Sequence, residues 1–204
     1  MPDARRPVWL MVAAGAFLVL LAVVFASSLV RPRISSFAPG TLTARPPGGG
    51  LATDTVTLDA REESRWVFFD FERGITVDGL DPSWDLAARR FHLIVNGGEA
   101  FGGAGGAVSS PLAWEEITEA PPSGYATTRG RLDGEPTNPA LARWYRYSFF
   151  AHTLEPRPEV YVVRTAEGGY AKLRLLSYYC PGATAGCLTF EYAHRGDGSR
   201  SLAP

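Results

Sequence analysis

Lysine is almost missing from this chain: Lys172 is the single one among 20 basic residues. Set against 21 acidic residues, the formal charge is −1, so no overall basic field marks a nucleic-acid binder. Side chains that hold metals or attack substrates are as scarce. The 204 residues include two cysteines, Cys180 and Cys187, and three histidines, His92, His152 and His194. Two thiols with only His194 nearby fall short of a zinc site. No G-K-[ST] ending follows the glycine-rich run Gly97–Gly106, which excludes a phosphate loop. No G-x-S-x-G elbow occurs either, and the histidines are scattered. Glu115 and Glu116 are adjacent, which in a strand turns them to opposite faces and denies them a shared substrate. Nothing here points to an enzyme.

What is present begins with an uncharged run of 23 residues, Val8 to Val30. As a helix it would rise roughly 35 Å, enough to cross a hydrocarbon core of about 30 Å. A signal-peptide core is usually about 7–15 residues, so this run reads as a retained anchor. Small residues up to Ala26 leave cleavage there as the alternative. Arginines flank both ends, but a short N-terminus kept inside and a long exported domain is the simpler insertion. The expected layout is therefore a cytoplasmic stretch 1–7 and a span 8–30 in a bacterial inner membrane. An arm 31–52 and a periplasmic domain 53–204 follow.

Charge divides along the same line. Residues 1–52 carry a net +4 and residues 53–204 a net −5, so a basic stalk bears an acidic head. Pro and Gly interrupt the arm throughout, which makes it a linker or a surface-hugging extension. An extended tether of that length could hold the head tens of ångströms from the bilayer or wrap along a neighbour.

Beyond Asp54 the pattern is of short β-type runs between turn signals. Trp66–Phe71, Phe91–Val95 before Asn96-Gly97-Gly98, and Trp144–Phe149 are rich in aromatic and β-branched residues. Val160–Thr165, Glu167-Gly168-Gly169 and Tyr170–Tyr179 read as a hairpin, and Leu188–Tyr192 alternates with period two. Helix is expected only as a turn or two within 83–90 or 111–119. Cys180 ends one run and Cys187 begins the next across a six-residue turn, a separation that an intrachain disulfide spans. A disulfide fits an exported domain.

Several of these stretches, in order, resemble the HmuY family of bacterial haem-binding proteins. They are Ser83-Trp84-Asp85-Leu86-Ala87, Asn96-Gly97-Gly98 with the glycines to Gly106, Tyr161–Thr165, Gly169–Tyr179 and Leu188–Tyr192. Together they cover about residues 66–193. The resemblance implies an all-β fold of packed antiparallel sheets and, in the best-known members, a haem gripped between two groups of strands. Such members are typically lipoproteins, whereas this chain has no cysteine before Cys180 and carries an apolar run instead. The resemblance also implies paired His or Met ligands from the region between the Asn96 turn and Tyr161. Here that region offers His152 alone, with Tyr147 as a companion donor. Met1 and Met11 lie outside the domain.

The function expected from these features is a non-catalytic accessory subunit without a cofactor. It would be anchored in the lipid bilayer and docked on a membrane protein complex of respiratory or photosynthetic type. The alternative is a haem-binding or haem-relay protein, with His152 as its cofactor-binding residue.

Overall fold

The computed structural model describes residues 8–29, 34–46, 48 and 50–203. The chain divides into two compact units. One comprises Met1–Arg33 together with Tyr147–Thr153, and the other Ile34–Arg146 with Leu154–Pro204. In the first, α1 (Val8–Leu29) is apolar on every side, with none of the Val8–Ala26 window buried by protein. A helix without a polar face has no stable surface in water, so its solvent is lipid or a leader-processing path. Val30, the last residue of the expected span, lies outside the described residues.

The head is built from thirteen strands among the described residues. The first eight are β1 (Leu51–Asp59), β2 (Val67–Asp70), β3 (Ile75–Val77), β4 (Leu86–Arg89), β5 (His92–Val95), β6 (Gly97–Gly98), β7 (Phe101–Ala104) and β8 (Gly106–Ser110). They are followed by β9 (Tyr145–Ser148), β10 (Thr153–Pro156), β11 (Val160–Arg164), β12 (Tyr170–Cys180) and β13 (Thr184–Arg195). One sheet runs β1-β13-β12-β11-β8 and a second runs β3-β2-β4-β5, with antiparallel pairing in both. The pairs β6-β7 and β9-β10 are separate two-stranded ribbons.

The two sheets meet through aromatic side chains that the period-two pattern turns inward. Phe69 of β2 packs edge-to-face on Phe190 and Tyr192 of β13, each at 5.5 Å between ring centres. Phe71 joins them, and Val56, Leu58, Leu173, Leu188 and Trp144 close the same core. The expected all-β architecture is what forms.

Three local expectations are corrected. A turn or two of helix is expected within 83–90, yet residues 86–89 are strand β4, paired on both sides by β2 and β5. Sheet burial of Leu86, Ala87 and Ala88 outweighs a propensity worth only tenths of a kcal/mol per residue, roughly. Residues 114–116 do form a turn of 3₁₀ helix, so Glu115 and Glu116 are not on a strand, and Glu116 accepts the Ala113 N–H at 2.7 Å. The cysteines, too, are not directly opposite one another. Strand β13 resumes at Thr184, which pairs with Cys180, while Cys187 pairs with Asp59 of β1. The disulfide Cys180–Cys187 forms across this tighter turn, with Cα atoms 4.9 Å apart.

The arm takes its surface-hugging form, on the head of its own chain. Strand β11 covers β12 only as far as Arg174, which leaves the far end of β12 without a neighbour on that side. The arm fills the gap: Ser36 bridges in parallel to Tyr179, and the Phe37 N–H donates to the Tyr179 carbonyl at 2.9 Å. Further along, the Arg45 N–H donates to the Arg73 carbonyl at 2.8 Å, and its guanidinium donates to the Tyr192 hydroxyl. Ile34 and Leu42 add apolar contact with the main core.

Candidate functional site

Glycine, aspartate and tryptophan in the stretches with a family resemblance turn out to serve the fold. Trp84 is buried between Phe68 and Phe101, with ring centres 5.1 and 5.7 Å away. Asp85, fully enclosed, accepts the Phe71 N–H at 2.8 Å and the Ala166 N–H at 2.7 Å. Burial pushes its carboxyl up to about 8, against the pull of those two donors. Asn96 donates from its amide to the Pro82 carbonyl at 2.9 Å and accepts the Gly103 N–H at 3.2 Å. The glycine run then packs backbone to backbone: a Cβ on Gly97 would sit 1.9 Å from the Gly105 oxygen. Beside this knot, Arg73 donates to Asp70 and Asp81 at 2.7 Å, and the hydrogen bond from Arg73 holds the Asp81 carboxyl down at about 2.

An open cavity of about 660 Å³ lies against the knot, lined by Trp84, Phe101, Leu132, Asp81, Asp133 and Glu167 among others. It has no histidine, tyrosine, methionine or cysteine in its wall, so it offers no soft or imidazole donor to an iron.

The histidines separate clearly. His194 is buried on β13 and stacked on Phe71 at 6.3 Å. Burial, with Arg45 adding repulsion, lowers it to about 4, so it is a neutral core ring. His92 is half-buried, stacked on Phe91 at 4.4 Å and 3.8 Å from Glu135. Burial lowers its pKa, partly opposed by Glu135.

His152 is different. The ribbon β9-β10 ends in a tip, Tyr147–Thr153, and His152 sits there exposed with a left-handed backbone, φ 52°. Its Nδ1 lies 2.7 Å from the Tyr147 hydroxyl, which leaves Nε2 outward. Phe149 packs against the His152 ring at 6.1 Å and Phe150 against Phe149 at 6.0 Å. The tip thus gathers one imidazole, one phenol and two phenyl rings, all turned to the outside. Among the described residues no three His, Cys, Asp or Glu side chains cluster as a metal site. The donor chemistry of the tip does suit a haem iron, which takes imidazole or phenolate. The sequence singled out His152 and Tyr147; of the paired phenylalanines beside them, Phe149 was read there only as strand and Phe150 was not read at all.

The two antiparallel sheets make the head a β scaffold of packed sheets. Residues 62–192 match the model of a family described as HmuY protein, and the chain belongs to the HmuY family. The fold is shared with solved structures. An apo HmuY analog from Tannerella forsythia superposes with a TM-score of 0.60 at 17% identity, over 72% of this chain and 98% of that one. A putative lipoprotein from Bacteroides fragilis gives 0.56 at 20% identity, over 69% and 88%. A putative HmuY-like heme binding protein from Bacteroides vulgatus gives 0.55 at 22% identity, over 69% and 90%. No curated protein matches the chain.

Proposed function

We propose that this chain is a non-enzymatic haem-binding or haem-relay protein of the HmuY type, with the β9-β10 tip as its contact with the iron. The carrying observation is the 2.7 Å pair of Tyr147 and His152, exposed on a head of that family. Haem supplies the iron and the porphyrin face. The chain supplies the Tyr147 hydroxyl and the His152 imidazole, 2.7 Å apart. Imidazole and phenolate are both donors that a haem iron takes. Ligation from one exposed side favours handing haem on over storing it.

The helix anchors the protein in the inner membrane under this reading and holds the head in the periplasm, where the Cys180–Cys187 bridge is chemically at home. Family membership favours haem over the accessory-subunit expectation. The arm, expected there to lie on a partner, finds its contacts at Tyr179, Arg73 and Tyr192 of the same chain. Titration of the purified full chain with haem tests the proposal. A shifted Soret band at equimolar haem is expected, and a spectrum identical to that of free haem in the same detergent would overturn it.

A further inference from the structure

Two adjacent phenylalanines are the most conspicuous apolar surface of the tip: Phe149 is 72% exposed and Phe150 79%. Single exposed apolar residues, such as Leu80 at 94%, are ordinary on any protein. A pair at the end of a two-stranded ribbon is not, because a ribbon tip has no neighbouring element to cover it. The flanks have the character of a membrane interface. Tyr147 stands at the base of the pair, and Arg143 and Arg146 are exposed without an ion pair among the described residues. Tyrosine favours the head-group level and arginine the phosphates. Glu155 is the opposing charge on β10.

The compact unit that contains this tip is the one that contains the apolar helix, and not the one that contains the β head.

We propose that the tip of the β9-β10 ribbon is a second membrane contact, with Phe149 and Phe150 seated in the lipid interface below the head groups. The occupant is a lipid surface, chosen by the apolar pair, its Tyr and Arg flanks and its shared unit with the helix. The inference rests on the helix being a retained anchor and is independent of haem.

Depth-dependent quenching tests this in the full chain, reconstituted without haem into nanodiscs of phosphatidylcholine and phosphatidylglycerol. Both native cysteines are bridged, so an introduced thiol takes an environment-sensitive fluorophore selectively. Single variants Phe149→Cys and Phe150→Cys report the tip, Phe17→Cys reports the helix, and Leu80→Cys is the exposed reference. With spin-labelled acyl chains in the disc, the tip probes should lose more than half their emission, as the helix probe does, while the Leu80 probe keeps most of its own. Strong quenching at Phe17 with tip probes as bright as the Leu80 probe would overturn the proposal. Haem is absent throughout, so failure of the haem reading cannot produce either result.

Discussion

The knot around Asp85 and the tip around His152 are opposite solutions in one chain. In the knot every polar group has a fixed partner: Asp85 accepts two backbone N–H groups, Asn96 spans Pro82 and Gly103, and Ser83 Oγ donates within reach of Asp70 and Asp81 at 2.8 Å. At the tip one hydrogen bond joins Tyr147 to His152 and the remaining valences point outward. The stretches that carry the family resemblance fall mostly in the knot and in the long central strands. They specify the fold, and a fully satisfied network has no capacity left for a ligand. Under the proposed reading, binding falls to a short ribbon tip that the fold only needs to support.

Breaking the knot should have the largest effect. Trp84 fills the space between Phe68 and Phe101, so Trp84→Ala is expected to cost about 3–5 kcal/mol of stability. Chemical denaturation of the full chain in detergent would show this as an earlier midpoint. A loss below about 1 kcal/mol would mean that the site collapses freely and that the knot is not a packing centre.

Asp85 gives the knot a pH signature of definite sign. Its folded-state pKa, about 8, lies above the ordinary 3.8 because burial disfavours the charge. The native state therefore keeps a proton that the unfolded chain has released. Stability contributed by that proton is full below about pH 4 and is lost as pH rises through about 8. Asp85→Asn removes the titration, at the cost of an acceptor for Phe71 or Ala166, about 1–3 kcal/mol. Denaturation midpoints measured from about pH 5 to about 9 should fall with pH in the parent and stay flatter in the variant. Parallel curves would refute the assignment of the proton to Asp85.

The disulfide tests the hairpin end of the central sheet, between these extremes. Its cysteines are seven residues apart, so replacing both with serine should cost about 2 kcal/mol and leave the head folded. An unfolded head would show that the bridge holds more than its own turn.

How much of this could be read from residues alone follows the same division. Strands β2, β5, β11, β12 and β13 were visible because aromatic and β-branched runs end in glycine or asparagine turns, and β9 because its aromatic run follows a Pro-rich loop. Strand β1 was not singled out, although Thr55-Val56-Thr57-Leu58 alternates, because the Pro/Gly arm before it blurred the boundary. Strand β4 was hidden by helix-favouring side chains whose sheet partners lie far along the chain. His152 and Tyr147 were legible as residue types five positions apart. That their side chains meet depends on the turn Ser148–Ala151 and on the positive φ of His152, which no periodicity encodes.

The smallest effect on stability, and the sharpest on function, is expected at the tip. Tyr147 and His152 are exposed and bonded chiefly to each other, so His152→Ala and Tyr147→Phe should each change stability by no more than about 0.5 kcal/mol. If they hold haem together, one as a donor to iron and the other as its hydrogen-bonded support, losing either should weaken haem binding by about 10–100-fold. The double variant should then lose little more than the worse single one, because the second side chain acts through the first. Two additive losses would instead describe independent ligands. Haem affinity unchanged in both variants, with the Soret shift of the parent intact, would move the site off the tip altogether. In that case the open cavity beside Trp84 and Phe101 becomes the place to look, and a porphyrin there would be held by its faces and edges without a side-chain bond to iron.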